Sequence, residues 1–109
     1  MSVKLPPLLE RLVTAINGGD TAAFLAFFPT DGVVDDWGDS YAGVDSIRRW
    51  NDRELIGAKG TLTVSNVSHH HGNEIAFDGD WKSSFFTGPG RFTLRLDGDR
   101  IHEMRIAEM

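Results

Sequence analysis

From Thr61 onward the chain alternates apolar and polar residues with a period of two, and this pattern constrains the fold more than any other feature. Ile75, Phe77, Gly79, Trp81 and Ser83 mark one face of a strand, and Ala76, Asp78, Asp80, Lys82 and Ser84 the other. Such alternation belongs to half-buried strands of an antiparallel sheet, one face on a core and one in water. Leu62, Val64 and Asn66 keep the same beat in a preceding strand that runs to His69-His70-His71 and a Gly72-Asn73 turn. Phe92, Leu94 and Leu96 keep it in a following one. Thr87-Gly88-Pro89-Gly90 reads as a turn and Asp97-Gly98-Asp99 as a hairpin loop. The spacing of Ile101, Met104 and Ile106 then requires a bulge or a change of face.

The first half is helical. Leu5, Leu8, Leu9, Leu12, Val13 and Ile16 recur at three- and four-residue spacing, and Gly18-Gly19 ends that helix. Asp20 is placed to cap a short second helix carrying Phe24, Leu25, Phe27 and Phe28, closed by Pro29. Val33 to Trp37 reads as a short strand running into a loop, and Gly38 to Gly43 as a polar connection. Ile47, Trp50 and Leu55 give a third helical face. Helices segregated from consecutive antiparallel strands define an α+β fold, a curved sheet with helices across one face. Residues 1–109 read as a single domain.

Composition narrows the chemistry. The 109 residues contain no cysteine, which removes disulfides, thiolate nucleophiles and Cys-ligated metals. Eleven basic residues stand against sixteen acidic ones, a net charge of −5, and the longest basic run is Arg48-Arg49. A nucleic-acid partner is not expected on that balance. No apolar run approaches membrane-spanning length, and Met1 to Pro7 lacks the apolar stretch of a signal peptide, so the expectation is a soluble cytoplasmic domain. Glycine-rich nucleotide loops, H-E-x-x-H and G-x-S-x-G are all missing, and no cofactor is expected.

The leading candidate for chemistry is the pair Asp35-Asp36, directly after Val33-Val34 and beside Trp37. Adjacent strand residues point to opposite faces, so one carboxylate at most turns inward. Desolvation against aromatic surface would raise its pKa toward a useful general-base value. Exposure of both at the end of an edge strand is the competing reading. Of His69-His70-His71, only the first and third can converge on a metal, and zinc would need a further ligand, so no metal site is expected. An inward His70 could serve as general acid. Trp37, Trp50 and Trp81 fit either core packing or the walls of a pocket. Asn66 shares parity with Leu62 and Val64, which would place it inside as a polar anchor.

Several phrases resemble the SnoaL-like, nuclear-transport-factor-2-like superfamily. Ala15-Ile16-Asn17-Gly18-Gly19-Asp20 is similar to that family's first interhelical joint, and Phe28-Pro29-Thr30-Asp31-Gly32-Val33-Val34-Asp35-Asp36-Trp37 to its helix-to-strand passage. Tyr41 to Trp50 resembles the segment opening its third helix, and Gly98 to Ile101 with Met104-Arg105-Ile106 its last hairpin and strand. The resemblance implies a strongly curved, mostly antiparallel sheet wrapped around three N-terminal helices, a cone open into an apolar pocket. It also implies a homodimer through the outer face of the sheet. Ketosteroid isomerases and polyketide cyclases share this fold alongside non-catalytic binding proteins, so fold alone does not name a function. Asp36 aligns with the isomerase's base, whereas the oxyanion donors fall at Leu12 and near Phe92, neither of which can donate. Steroid isomerisation is therefore not the expected reaction.

The resulting expectation is a protein that binds a small apolar or aromatic molecule. If it is an enzyme, the step is a cofactor-free acid/base isomerisation, cyclisation or dehydration, with Asp36 and His70 catalytic. Trp37, Tyr41, Trp50, Asn66, Phe77 and Trp81 would contact the ligand. The alternative is a non-catalytic ligand-binding or structural module of the same fold.

Overall fold

In the computed structural model, which describes residues 4–84 and 86–108, helix α1 (Pro7–Asn17) starts on proline at a position where a missing N–H costs nothing. It buries Leu9, Leu12, Ala15 and Ile16. Gly18 ends it, and Asp20 caps α2 (Thr21–Ala26) by accepting from Ala23 N at 3.0 Å. Two short strands follow, β1 (Val33–Asp36) and β2 (Asp39–Ala42), and then α3 (Val44–Glu54) and a single 3-10 turn (Ile56–Ala58). The long strands are β3 (Thr61–His71), β4 (Glu74–Lys82), β5 (Thr87–Asp97) and β6 (Arg100–Ala107). They form one sheet of order β2-β1-β6-β5-β4-β3, antiparallel throughout except for the parallel β1–β6 pair.

This architecture corrects the expected one. The sheet is open, with β2 and β3 as its two edges, and is not a strongly curved, closed wrap. Only α1 and α2 precede the strands, because α3 lies between β2 and β3 and so is not N-terminal to the sheet. The parallel pair has a simple cause. The β1–β2 hairpin joins the far side of β6, and the chain must cross through α3 before the remaining strands can be laid down.

Two local readings also change. The stretch read as a polar connection contains β2, paired to β1 across Trp37-Gly38 in the register Asp36↔Asp39. Both turn residues have positive φ, 56° and 93°, the geometry of a two-residue hairpin. Gly88-Pro89-Gly90 is not a turn but the start of β5, where Pro89 faces Asp80 and Gly90 faces Gly79. The bulge expected near the C-terminus is present. Arg95 pairs with Glu103 but Leu96 with Ile101, which leaves His102 as the extra residue of β6.

The inner faces of the sheet and helices share one core, with Phe24, Ile47, Trp50, Phe77, Leu94 and Ile101 among its members. Phe24 stands edge-on to Phe28 at 5.3 Å and tilted against Trp50 at 6.4 Å. Polar groups within this packing are satisfied. Asn17 treats Leu62 as a strand neighbour would, donating to its O at 2.9 Å and accepting from its N at 2.7 Å. That contact ties α1 to an otherwise unpaired edge. Buried Asn51 donates to Thr21 Oγ1 at 3.2 Å and accepts from Ile56 N at 3.3 Å.

Candidate functional site

A cavity of about 310 Å³ opens where the ends of β1, α3 and β4 meet the start of β5. Trp50, Leu55, Trp81, Phe92 and Ile106 line its floor and walls, and Trp37 and Phe86 stand exposed on its rim. The last two rings meet edge to face at 6.1 Å. The space exists because β5 has no side chain at Gly90. A Cβ there would make only ordinary contacts, at 3.6 Å or more, with Ala107, Phe92 and Ile106. Its partner Gly79 has no such room, since a Cβ would lie 2.9 Å from Leu62 Cδ1.

Strand alternation sorts the two adjacent aspartates. Asp35 turns away and caps the hairpin, accepting from Gly38 N at 2.9 Å. Asp36 turns into the cavity, half-buried, and its Oδ2 accepts from the Trp50 indole N–H at 3.0 Å. Among the described residues Oδ1 has no hydrogen-bond donor. Burial pushes the Asp36 carboxyl above its ordinary pKa. The Trp50 bond opposes this, while the neighbouring charges of Glu54, Asp39 and Asp35 add to it. Asp39 and Glu54 also line the cavity, and Glu54 accepts from Arg53 at 2.8 Å. The turn holds Trp37 at φ 56°, a left-handed backbone that costs a bulky residue about 1–2 kcal/mol and fixes its indole at the rim.

Of the residues singled out in the sequence, Asp36, Trp37, Trp50 and Trp81 converge on the cavity. Tyr41 lies behind it, its ring 6.2 Å from Trp50 and its hydroxyl 3.3 Å from Arg53 Nη2. Phe77 is fully buried one layer down, stacked flat on Phe92 at 4.9 Å. Asn66 is displaced by a bulge. Val64 pairs with Gly79 but Asn66 with Asp78, so the parity shared with Leu62 and Val64 is broken and Asn66 stands exposed on the other face. There Asp78 accepts from Arg91 Nε at 2.8 Å, and that ion pair and Asn66 hold its carboxyl below the ordinary value. A second shift, between Val67 and His69, resets the histidines. His70 pairs with Ile75 at the opposite end of β4 from Trp81, and it is exposed and outside the cavity.

Sequence reasoning missed Asp39, Glu54, Phe86 and the Gly88-Pro89-Gly90 wall. The Trp37-Gly38 pair was the available signal for Asp39, because a two-residue hairpin places positions 36 and 39 opposite each other. Among the described residues no group of three or more His, Asp or Glu is arranged to hold a metal ion. Nor is any helix among them long and apolar enough to cross a membrane.

No protein-family model and no curated protein matches the chain. Solved structures do match. The Δ5-3-ketosteroid isomerase of a Mycobacterium species is 19% identical, covering 94% of this chain and 90% of its own at a TM-score of 0.78. A Mycobacterium tuberculosis protein in complex with estradiol-17β-hemisuccinate is 21% identical over 91% of this chain and 88% of its own, TM-score 0.82. A Catenulispora acidiphila protein of ketosteroid isomerase-like fold, in complex with trimethylamine, is 18% identical over 94% and 85%, TM-score 0.77. The chain thus shares its fold with these structures, one of them a ketosteroid isomerase and another ketosteroid isomerase-like in fold.

Proposed function

We propose that this chain binds a small, predominantly apolar molecule in the cavity, with the polar end of that molecule at Asp36. One observation carries the reading: a half-buried carboxylate, one oxygen held by Trp50 and the other without a donor among the described residues, set in an aromatic wall. The carboxylate is partly desolvated, and a ligand hydrogen-bond donor on its second oxygen would stabilise the charged form. The volume is in the range that encloses a small ligand. Structures of the same fold hold ligands as different as a steroid ester and trimethylamine, which supports a pocket adapted by its lining.

The test fills the cavity. Gly90→Leu projects a side chain into it from a position where Cβ meets no clash, so the fold should persist. Calorimetric titration with 2-naphthol should show binding to the native chain, and affinity lower by about ten-fold or more in the variant. Equal affinity in the two would place the ligand elsewhere and overturn the reading.

A second reading is proton transfer, with Asp36 as general base on the bound molecule. Its support is the environment of that carboxyl, whose pKa is moved in the direction a base working near neutrality needs. His70 stands outside the cavity, so this reading gives it no role.

A further inference from the structure

The charge of the cavity is one-sided. Asp36, Asp39 and Glu54 line it, and among the described residues no lysine, arginine or histidine does. Arg53, beside Glu54 in sequence, donates to it from Nε and Nη2 and reaches Tyr41 with Nη2, outside the lining. Arg53 therefore leaves Asp36 and Asp39 uncompensated. The remaining walls are aromatic, and Trp37, Trp50, Trp81 and Phe86 surround the mouth and the Asp36 carboxylate.

Carboxylates beside indole and phenyl faces make an environment with one electrostatic preference. Ring faces carry negative quadrupole potential and attract cations, most of all where water is thinned. Carboxylates in a partly desolvated wall add to that field, and a low-dielectric cleft focuses it. An anionic ligand meets repulsion from Asp36 and Asp39, and a neutral one gains only area and a hydrogen bond. We propose that the cavity selects ligands carrying a protonated amine or quaternary ammonium on an apolar or aromatic body, the cationic end lying between Asp36 and the rim rings. This deepens the binding reading above and rests on it.

A matched series tests it: 1-naphthylmethylammonium, 1-naphthylmethanol and 1-naphthoate, titrated calorimetrically at low salt into the native chain, Asp36→Asn, Asp39→Asn and Gly90→Leu. The ammonium should bind the native chain about ten-fold or more tightly than the alcohol, with the carboxylate weakest. That ratio should fall toward one in Asp36→Asn, decrease in Asp39→Asn, and every ligand should weaken in Gly90→Leu. Asparagine can still accept from Trp50, so Asp36→Asn retains the contact that positions it. If the alcohol or the carboxylate binds the native chain as tightly as the ammonium, charge selection is overturned while the pocket reading stands. If the ammonium binds Gly90→Leu as tightly as it binds the native chain, it binds outside the cavity and the inference falls. If none of the three binds the native chain, both readings fall together.

Discussion

Trp50→Ala is expected to destabilise the fold by about 3–5 kcal/mol, a large share of what a domain of this size has. The indole is 1% exposed, packs on Phe24 and Tyr41, and its N–H holds Asp36. The alanine variant leaves a cavity in the core and frees the carboxylate in the same step. Trp50→Phe separates the two effects, since the phenyl ring keeps most of the packing and removes only the donor. Urea denaturation should therefore place Trp50→Phe much nearer the native chain than Trp50→Ala. Equal losses in the two variants would show that the indole hydrogen bond, and not packing, holds α3 to β1.

Asp36→Asn should abolish any proton abstraction in the cavity, a loss of about 10²–10⁴-fold, the usual share of a positioned general base. Exchange of the α-protons of 2-tetralone into heavy water, followed by proton NMR, reads this step without knowledge of the natural ligand. The acceleration by the native chain should stay within that share, because the two positions that the resemblance assigns to oxyanion donors, Leu12 and Phe92, carry no side-chain donor. Leu12 is wholly buried in the core, and Phe92 is an apolar wall of the cavity. Missing donors of that kind cost about 10²–10³ each. Exchange in Asp36→Asn equal to that in the native chain would remove Asp36 as a base and leave the binding reading alone.

Most elements of this fold are visible in its alternation, and the failures share a physical origin. Period-two patterning located β3 to β6, and three- and four-residue spacing located α1 and α3, because burial on one face imprints those periods. Glycine and proline misled where tertiary context outweighed their local tendencies. Gly88-Pro89-Gly90 has the composition of a turn, yet β4 holds it as strand, and its missing side chains open the cavity. Bulges misled where parity was assumed continuous. One extra residue reverses every side chain beyond it, so Asn66 moved to the outer face. A second bulge returned His70 to the register of buried Ile75, and its place at the far end of β4 keeps it from the cavity. That one of two adjacent acids at a strand end turns inward was legible from alternation, and the family resemblance pointed to Asp36 as that one. The acidity of the site was not legible. Asp39 and Glu54 lie 3 and 18 positions away in sequence, and only the hairpin and the end of α3 bring them to the same cavity.

The most direct test of the account is the titration of Asp36 itself, followed by the carboxyl ¹³C shift with and without 2-naphthol. In the free protein the midpoint should lie above the ordinary aspartate value of about 3.9, because burial and the neighbouring acids disfavour the charged form. Trp50→Phe should raise it further by removing the bond that opposes them. A bound hydroxyl donor favours the charged form, so the ligand should move the midpoint down. A midpoint at the ordinary aspartate value, unmoved by ligand, would contradict the account and return Asp36 to the solvent.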